Sequence, residues 1–165
     1  MICPACGNEL TEMTVSDVTL DVCKGGCGGI WFDNFEIKKF DEPHEPAGQE
    51  LLNIEKNPDI KVDGSRRYKC PKCGDMLLMR HYFSVKKKVA IDECPNCAGI
   101  WLDDGELEQI RGLFNSEQEK NLAAEQYMDA SFGEDLAEIE VKAQIQGSAI
   151  RNMFGFFSYR IPFTR

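Results

Sequence analysis

The chain has 165 residues, a net charge of −9 and eight cysteines. Such acidity argues against a general nucleic-acid binder, and no stretch approaches the ~18 consecutive apolar residues of a membrane-spanning helix. Met1-Ile2-Cys3-Pro4 carries no basic segment followed by an apolar run, so a reducing cytoplasm is the expected compartment.

The cysteines fall into close pairs: Cys3/Cys6, Cys23/Cys27, Cys70/Cys73 and Cys94/Cys97. Neighbours in a Cys-x-x-Cys loop make poor structural disulfides but are well placed to grip one metal ion. Cys3-Pro4-Ala5-Cys6-Gly7 reads as a knuckle, with Gly7 free to take the positive φ that turns the chain away. Residues 13–22 then alternate apolar and polar around Ser16-Asp17, which predicts a short hairpin. The hairpin returns the chain to Cys23-Lys24-Gly25-Gly26-Cys27, a second knuckle with one extra residue among glycines. After Trp31, Asp33 and Glu36 have the spacing of a capping box, and Phe32 and Ile37 that of a hydrophobic staple, so a helix is expected to start here. Trp31 is expected to close the ribbon against that helix.

Asp41 to about Val62 contains Pro43, Pro46 and Pro58 and reads as a linker with one short helix around Gln49–Lys56. His44, within it, is read as an ordinary exposed histidine. Cys70-Pro71-Lys72-Cys73-Gly74 then restarts the pattern. Met76–Met79 and Val85–Ile91 are expected strands around a turn near Phe83–Lys86, with His81 as a strand histidine. Cys94-Pro95-Asn96-Cys97-Ala98-Gly99-Ile100-Trp101 repeats Cys23 to Trp31, and Leu102, Asp103, Glu106 and Leu107 repeat the staple and box. Internal duplication of this kind organises the rest of the reading. The expected fold class is a small metal-stabilised α+β protein: two zinc-ribbon-like units, each with two knuckles, a hairpin and a following helix, and an α-helical C-terminal region. The units are placed at 1–40 and 67–115, joined by a linker at 41–66 and followed by a helical region at 116–165.

That last region is rich in Glu, Gln, Lys, Ala and Leu, with a break expected at Gly133. Ile145, Ala149, Ile150, Met153, Phe154 and Phe157 form one helical stripe, read as a surface for a ribbon unit, a protein partner or self-association. Contact with a membrane surface is the lesser reading.

The pattern Cys-Pro-x-Cys-Gly, hairpin, Cys-x-x-Cys-x-Gly-Ile-Trp-Leu-Asp-x-Gly-Glu-Leu, carried by Cys70–Gly74 and Cys94–Leu107, resembles the small bacterial zinc-finger domain named after the transcription factor IIB zinc ribbon. A degenerate copy spans Cys3 to Ile37, with Cys27 displaced by one residue and Phe35 in place of the glycine at Gly105. The resemblance implies nucleic-acid binding by its name alone.

Two four-cysteine sites call for two Zn²⁺ per chain, with iron as the lesser alternative. Four thiolates close the coordination sphere, and no Ser-His-Asp set, phosphate loop or open metal position is present, so no enzyme and no small-molecule substrate are expected. Residues 61–91 hold nine Lys/Arg against two Asp, whereas 92–140 hold fourteen Asp/Glu against two Lys/Arg. The leading functional expectation is a non-catalytic structural or protein-interaction module. The alternative is a nucleic-acid-binding, transcription-related protein using Arg66, Arg67, Lys69, Lys72, Arg80, Lys86, Lys87 and Lys88 on phosphates. Redox or iron chemistry at the paired cysteines is third.

Overall fold

The computed structural model describes residues 1–132 together with Lys142. The C-terminal stripe and the break at Gly133 lie outside the described residues. Met1–Ala123 forms one compact unit, and a second unit begins at Ala124. In the second unit residues 124–132 are helical.

Among the described residues six strands make a single antiparallel sheet in the order β1-β2-β3-β6-β5-β4. The strands are β1 (Thr11–Val15), β2 (Val18–Val22), β3 (Ile30–Phe32), β4 (Met79–Tyr82), β5 (Ala90–Glu93) and β6 (Ile100–Leu102). Each repeat supplies a hairpin and a short third strand, and the two third strands pair with each other: Ile30 with Leu102, Trp31 with Trp101, Phe32 with Ile100. This register is symmetric about the tryptophan pair, so a pseudo-two-fold axis passes between the repeats.

Alternation along these strands sorts the core into two layers. Ile30, Phe32 and Leu102 face an aliphatic cluster with Leu20, Val22, Ile37, Phe40, Leu107 and Ile110. Trp31 and Trp101 face the opposite way, into a cluster with Leu10, Tyr68, Leu78 and the buried cysteines. The sheet is thus buried on both faces at its centre, and the knuckles and the helical segments lie on opposite sides of it.

Several elements depart from the sequence expectation. The first helix is a single 3-10 turn at Glu36–Lys39. Helix α1 is Pro46–Leu51 rather than Gln49–Lys56, because proline at the first helical position is pre-organised for the turn and its missing N–H costs nothing there. Helix α2 is Glu106–Arg111 and stops at Gly112, short of the buried Leu113 and Phe114. Helical backbone resumes over 117–123. In the second hairpin the strands sit further along the chain than expected. Met76–Leu78 run beside Tyr68–Cys70, and the lysine-rich 84–88 form a loop closed by the Phe83 N–H bond to the Val89 carbonyl at 2.9 Å.

The linker is ordered against both repeats. The N–H of Gly25 donates to Glu55 O, and the N–H of Asn57 to Gly26 O. Lys56 pairs with Asp104. Arg111 is buried and donates to the carbonyls of Phe40 (2.7 Å), Pro43 (3.0 Å) and Glu45 (3.0 Å).

Candidate metal centres

All eight predicted ligands gather as two clusters, Cys3/Cys6/Cys23/Cys27 and Cys70/Cys73/Cys94/Cys97, with the sulfurs of each cluster all within 4.8 Å of one another. A tetrahedron with Zn–S bonds of about 2.3 Å has sulfurs about 3.8 Å apart. Observed separations include 3.6 Å for Cys3–Cys27, 3.4 Å for Cys6–Cys23, 3.7 Å for Cys70–Cys97 and 3.9 Å for Cys73–Cys94. The donor set therefore fits a thiophilic ion of zinc's size.

Three knuckles also aim a backbone N–H at their own first sulfur, and a side-chain amide of the fourth reaches across to a sulfur of its neighbour. Cys6 N lies 3.4 Å from Cys3 Sγ, Cys27 N 3.3 Å from Cys23 Sγ and Cys73 N 3.2 Å from Cys70 Sγ, and the Asn96 amide donates to Cys73 Sγ at 3.3 Å. These donors stabilise thiolate charge. Without a cation four sulfurs this close do not all ionise. Burial pushes Cys23 and Cys70 up to about 12, while Cys3, accepting from the Cys27 thiol, falls to about 5. A divalent ion removes that conflict.

The irregular knuckle keeps its cluster closed by two glycine devices. Gly25 takes φ +69°, and a Cβ on Gly26 would stand 2.3 Å from Cys23 Sγ. The extra residue is thereby folded under the sulfur, and residues 55–57 of the linker brace the bulge.

Both tryptophans are buried, but each one plugs the other repeat. A Cβ on Gly29 would lie 2.2 Å from the Trp101 ring, and one on Gly99 would lie 2.1 Å from the Trp31 ring. This corrects the expectation that each closes its own ribbon against its own helix. The flat third strands pair so closely that the ring of one repeat has no room except over the glycine of the other.

The acids beside the tryptophans keep half of the predicted capping box. Glu36 Oε2 accepts from Asp33 N at 2.7 Å, and Glu106 Oε2 from Asp103 N at 2.8 Å. The aspartate side chains do not cap. They accept the indole N–H instead, Trp31 to Asp33 at 3.1 Å and Trp101 to Asp103 at 2.8 Å. The helical turns start two residues later, at Phe35 and Gly105, both left-handed. Asp103 also accepts the Tyr68 hydroxyl at 3.1 Å. Burial raises Asp103, and it pushes Glu106 up to about 7.

The predicted basic residues do not share one environment. Arg80 makes a two-pronged bond to buried Asp92, at 3.1 and 2.8 Å, and also reaches Gly64 O and Arg66 O. Lys72 pairs with Asp33 at 2.6 Å, Lys69 with Asp75 at 3.2 Å, and Lys86 with Glu119 at 3.0 Å, with Lys86 lying over the Phe114 ring. Arg66, Arg67, Lys87 and Lys88 are exposed. Of the two histidines, His81 sits on β4 against Glu93 and His44 against Glu42.

Sequence reasoning missed Arg111, Tyr68 and the ion pair of buried Asp41 with half-buried Lys120. Arg111 had a signal, a cation in the last turn of a helix. The other two depend on contacts across 35 and 79 positions of chain.

Two knuckles flanking a hairpin, twice over, define a zinc-ribbon protein. The chain belongs to the transcription factor zinc-finger family, whose model matches residues 2–41 and 69–111, one segment per repeat. No curated protein and no solved structure matches the chain. Among the described residues no helix is long and apolar enough to cross a membrane.

Proposed function

We propose that the chain is a non-catalytic protein-interaction module built on two structural Zn²⁺ ions. The observation that carries this reading is the closure of both four-sulfur clusters, which leaves a bound ion no open position for substrate or water. The charge supports it further. Each tetrathiolate zinc site adds −2 to a chain already at −9. Lys69, Lys72, Arg80 and Lys86 are each compensated by a carboxylate of the same fold, which weakens their attraction for phosphate. Thiolate metal sites of this kind persist in a reducing compartment, and the cytoplasm suits them.

Nucleic-acid binding is the second reading, favoured by the exposed Lys87 and Lys88 in the β4–β5 loop and by the general association of the family. Gel shifts with single- and double-stranded oligonucleotides at low salt separate the two. The interaction-module reading expects no shift. A shift that fades steeply with added salt would replace it by the nucleic-acid reading. Native mass spectrometry of the same sample is expected to show two zinc ions per chain.

A further inference from the structure

The two repeats serve as controls for each other, and their metal clusters differ at one ligand. Cys3, Cys23, Cys70 and Cys94 are buried, and Cys6 and Cys73 are both half-buried. Cys27 is 7% exposed, whereas its equivalent Cys97 is half-buried. The neighbours follow the same split. Gly26 and Gly28 are buried, while Asn96 is exposed and Ala98 half-buried.

The linker causes the difference. Residues 55–57 run along the Cys23–Cys27 knuckle, with Gly25 N–H bonded to Glu55 O at 2.7 Å and Asn57 N–H bonded to Gly26 O at 2.8 Å. The Lys56 stem covers the next residue, since a Cβ on Gly28 would stand 3.4 Å from Lys56 Cβ. Counting back from the shared cysteine, Gly25 and Gly26 become Pro95 and Asn96. Proline has no N–H with which to hold such a segment. Among the described residues no main-chain hydrogen bond from another segment reaches Pro95, Asn96 or Cys97. The second site thus lacks the cover that the first one has.

We propose that Cys97 and Cys70 form a thiol–disulfide switch, through which a hydroperoxide opens the second metal site before the first. The inference rests on the two-zinc reading and adds a regulation to it. Metal ligation keeps a cysteine as thiolate, the nucleophilic form, and access then decides which thiolate reacts. The Cys97 sulfur gives an electron pair to one peroxide oxygen as the O–O bond breaks, forming a sulfenic acid and releasing hydroxide. Cys70 Sγ, 3.7 Å from Cys97 Sγ, then attacks the sulfenic sulfur, forms the S–S bond and expels a second hydroxide. Protons from solvent turn both hydroxides into water. The thiolate pair loses two electrons, the peroxide gains them, and only Cys73 and Cys94 remain as donors. The change reaches the first repeat directly: a Cβ on Gly99, two residues after Cys97, would stand 2.1 Å from the Trp31 ring.

The test treats the full zinc-loaded chain, its metal content verified by native mass spectrometry, with limiting hydrogen peroxide. Samples are quenched with N-ethylmaleimide over time and their cysteines mapped by peptide mass spectrometry. Cys97 and Cys70 are expected to leave the alkylated pool first, in equal amounts and as one linked peptide pair. Zinc release and a tryptophan fluorescence change accompany them, and dithiothreitol with added zinc reverses both. A first disulfide that omits Cys97, such as Cys6–Cys23, overturns the proposal. So does equal loss from both clusters, which is the pattern of oxidation through the unfolded chain. Conversion of Cys97 to sulfinic acid without a disulfide overturns it too, because that product is not reversed by thiols. A loaded chain that resists peroxide while the chelated chain oxidises removes the switch and leaves the two-zinc reading standing. A chain that holds no zinc removes both.

Discussion

Gly29 and Gly99 are buried and have no room for a side chain, because an indole from the opposite repeat occupies the space of their missing Cβ. Gly99→Ala is expected to destabilise the chain by about 1–3 kcal/mol through overpacking, measured by denaturant unfolding at saturating zinc. Phe35 is the opposite case. It adopts φ +69° where the second repeat has Gly105 at +82°, and its ring is largely exposed. Left-handed backbone costs a side-chain-bearing residue about 1 kcal/mol or more, so Phe35→Gly is expected to raise stability by up to about 1 kcal/mol in the same assay. Glu106 makes the fold pH-dependent. Its folded carboxyl titrates near 7, above the value of a free glutamate, so the folded state holds more protons between those two values. Its contribution to stability is present below the unfolded value and is lost as pH rises toward 7. Glu106→Gln keeps an acceptor for Asp103 N–H, and is expected to be more stable than the parent near pH 8 and to converge with it near pH 5. Thermal melts of the zinc-loaded pair across that range check the sign.

At the scale of elements, the linker is held by one buried side chain. Arg111 reaches three carbonyls of residues 40–45 from the end of α2, and a Cβ on Gly48 would meet its guanidinium. Arg111→Ala leaves those carbonyls without their buried charged donor, and a loss of about 3 kcal/mol is expected, with amide exchange accelerating first in α1. The knuckles and the first hairpin were legible in the sequence because each is specified within a few residues. Cys-x-x-Cys spacing and a two-residue turn need no distant partner. What was not legible is the pairing of β3 with β6. Ile30–Phe32 and Ile100–Leu102 are three residues long, too short for a periodicity, and their meaning lies in each other. The same limit explains the aspartates: Asp33 and Asp103 have cap spacing, yet the tryptophan that takes their oxygens is turned by a strand 70 positions away.

At the scale of the molecule, shared strands make the two metal sites one thermodynamic system. Structural zinc contributes roughly 10–16 kcal/mol in peptide models, and here each site holds a knuckle layer that packs on both tryptophans. Chelation is therefore expected to release both ions in one cooperative transition, seen as coincident loss of circular dichroism and of two metals per chain. Cys94→Ser is expected to weaken the first site as well as the second. Two separate steps would show that the repeats are independently stable.

The symmetry of the tryptophan register has a consequence for how such a chain can change over time. Gly-Ile-Trp in one repeat is complementary to Gly-Ile-Trp in the other, so either segment is also complementary to a second copy of itself. A lone repeat with that segment has the contacts of an isologous dimer. Joining two of them by residues 41–66 replaces a concentration-dependent encounter with a tethered one. The tether also removes the requirement of identity. Once the halves are different stretches of one polypeptide, a substitution in one hairpin is no longer copied into the other. The central seam must stay matched while the outer edges drift apart, and the outer edges, β1 and β4, are where the two halves differ in polarity.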